Sequence, residues 1–150
     1  MNKDEVLKIL NRIMELELAA VVRYSHYSLM VYGYNRIPIV DWMKKNAAEG
    51  LIHAQQAGEL VTWLGGHPSL NIGPLLESHQ HDLGGILRES LESEDEALKS
   101  YYELFNLVKD NSIRLEEYAR GMIVKELAHQ DEVNKMLRKP GQTGVFSANR

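Results

Sequence analysis

The chain has 150 residues, with Lys plus Arg 17 against Asp plus Glu 21 and a formal net charge of −4. This mildly acidic balance, with no basic arm at either end, argues against a nucleic-acid binder, which carries a basic stripe. Cysteine is absent, which excludes disulfides, thiolate zinc sites and thiol chemistry, and fits a cytoplasmic location. One domain is expected at this length. No apolar stretch follows Met1, and the most apolar run, Leu18 to Tyr34, is broken by Arg23 and His26. Neither a signal peptide nor a membrane span is therefore expected.

A first helix is predicted from about residue 3 to about 32. Asn2 and Glu5 make a capping-box-like start, and Val6, Ile9/Leu10, Ile13, Glu17, Ala20/Val21, Tyr24, Ser28 and Val31 follow helical spacing. Gly33 to Pro38 reads as a turn. A second helix, from about 38 to 64, carries the stripe Ile39, Trp42/Met43, Asn46, Glu49/Gly50, His53, Gln56/Ala57, Leu60 and Leu64, and Gly65-Gly66 end it. The next stretch has little period and reads as a long crossover. A third helix starts between 75 and 83 and runs to about 109, through Leu87, Leu91, Glu94, Ala97/Leu98, Tyr101, Phe105 and Val108. Asp110-Asn111-Ser112 supplies a turn and an N-cap. The fourth helix runs to about 138, and Pro140-Gly141 stop it. The expected fold is therefore all-α, an antiparallel four-helix bundle over residues 1–140 with a long crossover between its second and third helices. Residues 141–150 read as a tail.

Carboxylates and imidazoles lie inside these apolar stripes. The fourth helix carries Glu126 and His129, three apart and so on one face. Buried bare, such groups cost several kcal/mol or more, so they must be paired or hold a metal. The device repeats: Glu17 and Glu94, Tyr24 and Tyr101, and Glu49 and Glu126 are each 77 residues apart, with His53 and His129 offset by 76. Counted from the turns at about 1.5 Å per residue, Glu17, Glu49, His53, Glu94, Glu126 and His129 all stand roughly 16–27 Å along their helices. Folded antiparallel, they meet near mid-bundle. Singly, each has a structural explanation: a paired carboxylate, a hydrogen-bonded core imidazole, a packed tyrosine. Jointly they point to two metal ions. Four crowded carboxylates repel one another, and two divalent cations cancel their charge. Oxygen and nitrogen donors without thiolate suit iron or manganese. Tyr24 and Tyr101, two turns beyond their Glu, are placed to hydrogen-bond a neighbouring group or to give up an electron. Glu77, His79, His81 and Asp82 form a further cluster, suited to a second metal or to an access path. His26 and His67 fall off the six-residue site.

With these motifs the chain resembles the ferritin-like di-iron carboxylate proteins, bacterioferritin most closely. Their layout sets one Glu on each of two helices and Glu-x-x-His on each of the other two. Glu17-Leu-Ala-Ala-Val-Val-Arg-Tyr24 is similar to the first-helix motif, and His53 through Gly65-Gly-His-Pro68 to the second-helix His and its exit. Glu94, Glu126 and His129 take the remaining places. The resemblance implies a centre binding two iron ions and oxidising Fe(II) with O2 or peroxide, with iron storage if a shell forms. Three features depart from it. The second-helix pair is Glu49-Gly-Leu-Ile-His53, spaced by four. Leu51 replaces the axial Met, so no haem is expected. No fifth helix follows the fourth, so a homo-oligomer, a dimer before a twenty-four-chain shell, is expected. The competing readings are a di-manganese or di-iron peroxidase or catalase without storage, and a metal-free helical interaction protein.

Overall fold

Asn2 opens the first helix as its sequence suggests: its Oδ1 accepts the N–H groups of Asp4 (3.1 Å) and Glu5 (3.3 Å). The computed structural model describes residues 1–147, and its helices are α1 (Lys3–Met30), α2 (Arg36–Trp63), α3 (Leu83–Val108) and α4 (Ile113–Leu137). Among the described residues there is no strand, and no helix is long and apolar enough to cross a membrane. α2 ends with Gly65 at φ +74, which a side chain rarely adopts. The N–H of Gly65 reaches the carbonyl of Thr62, and that of Gly66 the carbonyl of Val61, closing the orphan carbonyls of the last turn. α3 starts at the late edge of its expected range. Asp82 caps it by accepting the N–H of Gly85 at 2.9 Å, so Gly84-Gly85 lie inside its first turn.

α1 packs against both α2 and α3, and α3 against α4. The crossover does not loop into solvent but returns along α1. Asn11 accepts the N–H of Ser69 (2.8 Å), and the carbonyl of Glu15 accepts that of Gly73 (2.9 Å). α3 therefore begins beside the end of α1 and runs antiparallel to it: Arg12 meets Ser100, whereas Tyr27 meets Glu89. Each close pair is antiparallel, as the long connection requires.

The apolar interior is split in two. One cluster includes Leu10, Ile13, Leu104 and Leu115; the other Tyr27, Val31, Met43 and Ile86. Each fully buried aliphatic side chain contributes about 1.5–3 kcal/mol, and polar side chains interrupt the core between the clusters. Residues 141–147 are not helical. They fold back on α4, where the Asn134 side chain accepts the N–H of Phe146 (3.1 Å) and donates to its carbonyl (3.0 Å). The expected tail extends to 150, and its last three residues lie outside the described ones.

Candidate metal centre

The helical stripes bring the six predicted side chains to one cavity of about 50 Å³ between the two apolar clusters. Glu17 (α1), His53 (α2), Glu94 (α3) and Glu126 (α4) are all buried. In one half, His53 Nδ1 lies 3.6 Å from Glu17 Oε2 and 4.0 Å from Glu126 Oε1. In the other, His129 Nε2 lies 2.6 Å from Glu94 Oε1.

The 77-residue offset appears as a cross-bracing. Tyr101 of α3 donates to Glu17 Oε1 of α1 at 2.8 Å, and Tyr24 of α1 donates to Glu94 Oε1 of α3. Tyr24 is also 3.1 Å from His129 Nε2. Burial, followed by the charge of the partner carboxylate, raises both phenols well above their ordinary range. They remain protonated donors and hold the carboxylates in place.

Glu49 differs from expectation. Its spacing sets it beside the core stripe, yet its side chain is 56% exposed, at the cavity rim, with Oε1 3.6 Å from His53 Nε2. The inward position belongs to Gly50. A Cβ there would stand 3.3 Å from both the Glu17 carbonyl oxygen and Val21 Cγ2. A side chain at Gly50 would require the α1 backbone or Val21 to give by a few tenths of an ångström, and the nearest carboxylate on α2, Glu49, stands one position earlier at the rim.

Two neighbours were not legible in the sequence. The Trp42 ring stacks on His129, with centroids 5.6 Å apart and planes 6° apart. Trp42 lies on the second helix's stripe, but nothing there marks it as the partner of an imidazole. Arg23, which reads as an interruption of an apolar run, is buried, lines the cavity and has an unpartnered Nε. Its counterpart at the 77-residue offset is Ser100, so the repeat gives no signal for it.

Charge sets what the cavity can hold. No lysine or arginine is within ion-pair distance of Glu17, Glu94 or Glu126 among the described residues. Burial, then the charges of Glu17, Glu94 and Glu49, push Glu126 up to about 9. Burial by itself lowers His129, but the hydrogen bond to Glu94 and the charges of Glu94, Glu49 and Glu17 outweigh it and raise it. Glu94 Oε2 is buried with no hydrogen-bond partner. The donors of Glu17, His53 and Glu126 all lie within 4.8 Å of one another, compatible with ligand bonds of about 2.0–2.2 Å. The donor set thus fits cations: it supplies crowded negative charge, an orphaned oxygen and two imidazoles. A proton-dependent affinity follows. Glu126 and His129 must shed protons to ligate, so metal binding at pH 7 will release protons and tighten as pH rises toward 9. Titration calorimetry in buffers of different ionisation enthalpy checks this, and a buffer-independent heat would contradict it.

The family model of the ferritin-like domain matches residues 7–141. Among solved structures, a ferritin-like di-iron-carboxylate protein from Bacillus anthracis aligns with TM-score 0.83 and 24% identity over 91% of this chain and 97% of that one. Bacterioferritin from Rhodobacter capsulatus, with a metal-free dinuclear site and haem iron, aligns with TM-score 0.79 and 22% identity over 89% and 84%. At these identities the likeness is one of fold. No curated protein matches.

Proposed function

Because the chain belongs to the ferritin-like domain family, we propose that it is a di-iron oxidoreductase that takes up Fe(II) as substrate and oxidises it with O2 or peroxide. The observation that carries this reading is the set of three buried carboxylates around one small cavity, with two imidazoles beside them and, among the described residues, no lysine or arginine paired to them. Glu17, Glu49, His53, Glu94, Glu126 and His129 are the proposed ligands of two ions. Bound there, iron supplies the one-electron Fe(II)/Fe(III) couple to a two-electron or four-electron oxidant.

The chain's own residues do the rest. Glu17 and Glu94 each keep one oxygen on a tyrosine hydroxyl, which fixes the carboxylate plane and leaves the other oxygen for an ion. Glu126 and His129 give up protons on binding and can take them back on release. Trp42 covers the outer face of His129 and limits its rotation. Glu49 at the rim is the one ligand able to swing, and it meets an arriving cation first. The test is anaerobic Fe(II) loading followed by stopped-flow oxidation: two Fe(II) per chain oxidised in a fast phase supports the reading, and protein that binds no iron refutes it.

Haem binding is expected to be absent. Leu51, exposed on α2, stands where the resemblance puts an axial Met, and leucine offers iron no lone pair. Protein produced with haem in excess should show no stoichiometric Soret band. The assembly is proposed to be a dimer, because Pro140-Gly141 stop α4 and the residues up to 147 fold back on it instead of projecting outward. Light scattering at the mass of a twenty-four-chain shell would overturn that.

A further inference from the structure

We propose that the end of α1 and the crossover form a second, mononuclear site for a divalent transition-metal ion, held by His26, Glu77 and His81. His26 Nε2 lies 2.9 Å from Glu77 Oε2, and His81 Nε2 lies 3.7 Å from Glu77 Oε1. The three ligand atoms fall within 4.8 Å of one another. Donors bound to one ion at about 2.0–2.2 Å stand roughly 3.0–3.5 Å apart, so the two carboxylate–imidazole distances bracket what a shared ion needs. His81 Nε2 is buried and has no hydrogen-bond partner, a cost that a ligand bond removes. The His26 and His81 rings face the carboxylate from opposite elements, with centroids 5.8 Å apart.

The backbone here is built to hold this arrangement. Leu76 (φ 54) and His79 (φ 57) both occupy the left-handed region, which costs a side-chain-bearing residue energy and persists only when neighbours enforce it. The enforcing contacts are present: Glu77 accepts the N–H of His79, and the buried Glu89 of α3 accepts the N–H of Ser78 at 2.8 Å while also accepting the Tyr27 hydroxyl. Glu89 is thus a positioning residue that ties the crossover to α1 and α3. Two neutral imidazoles and one carboxylate leave a divalent ion with a net positive charge and open positions for water. That donor set suits zinc or ferrous iron over magnesium or calcium. The site shares no ligand with the central cavity, whose lining includes none of these residues.

Zinc is the probe. Crystals of the full chain soaked with Zn²⁺ should show an anomalous peak within bonding distance of all three side chains, and equilibrium dialysis of Glu77→Gln should recover one zinc fewer per chain than wild type. His81→Ala should lose the same ion. The pair is repeated in Glu17→Ala/Glu94→Ala, which cripples the central cavity but should keep the crossover peak, so a failure of the central reading stays separate from a failure of this one. No peak at His26, Glu77 and His81, or unchanged zinc in Glu77→Gln, overturns the proposal.

Discussion

Replacing Glu126 with Gln is expected to slow Fe(II) oxidation at least about tenfold, roughly 1.4 kcal/mol in the barrier, while leaving the metal-free bundle no less stable at pH 7. The two effects share one cause. The Glu126 carboxyl is crowded by Glu17, Glu94 and Glu49 and buried, and its folded-state value of about 9 lies above its ordinary 4.5. A carboxyl raised in this way contributes stability that is fully present below about pH 4.5. That contribution falls away as pH rises, and is lost once the pH passes through about 9, because the unfolded chain releases the proton while the folded chain holds it. The metal-free wild type should therefore melt progressively lower from pH 5 to pH 9. Glutamine, neutral throughout, should flatten that slope. With metal bound the order reverses, since the ligand is missing from the variant. Melting curves at several pH values with and without Fe(II), alongside stopped-flow oxidation, read out all of this. A variant that oxidises iron at the wild-type rate would remove Glu126 from the ligand set.

Glu49→Ala is expected to cause a loss of similar size, at least about tenfold in oxidation rate, by leaving three carboxylates for two divalent ions. Its effect on the metal-free protein should be small, because the Glu49 side chain is largely exposed at the cavity rim. His67→Ala serves as a control and should oxidise iron normally. His67 is turned toward the Pro68 carbonyl. The informative companion is Glu49→Ala/Gly50→Glu, which moves the carboxylate to the three-residue spacing of the family. It should not restore activity. Any side chain at Gly50 presses on the Glu17 backbone and on Val21, and overpacking of this kind costs about 1–3 kcal/mol. Full recovery in that double variant, with unchanged melting, would show that α1 and α2 have room for an inward carboxylate. The rim position of Glu49 would then have no steric cause.

Helical periodicity carried the fold. Caps at Asn2 and Ser112, glycines at the end of α2 and apolar positions every three or four residues are local properties of the chain, and local backbone physics is enough to set helix number and order; the Asp82 cap that fixes the start of α3 emerged from the structure. The convergence of Glu17, His53, Glu94, Glu126 and His129 was also legible, because rise per residue converts sequence distance into height. The repeat at 77 residues set Tyr24 and Tyr101 at matching levels. What it could not give was their partners: each tyrosine reaches the carboxylate of the other hairpin, a contact that exists only once α1 packs on α3.

Three features depended on tertiary structure alone. Whether Glu49 or Gly50 faces inward depends on how closely two helices approach, and adjacent residues on a stripe's edge do not encode that distance. The path of the crossover depends on groups outside it, the Asn11 and Glu89 side chains and the Glu15 carbonyl, that accept its backbone N–H groups. That path decides which residues meet His26, which from its own helix faces away from the central site and finds Glu77 and His81 only because an aperiodic segment is laid across it. Periodic elements carry their geometry in their own sequence; an aperiodic segment takes its geometry from whatever it touches.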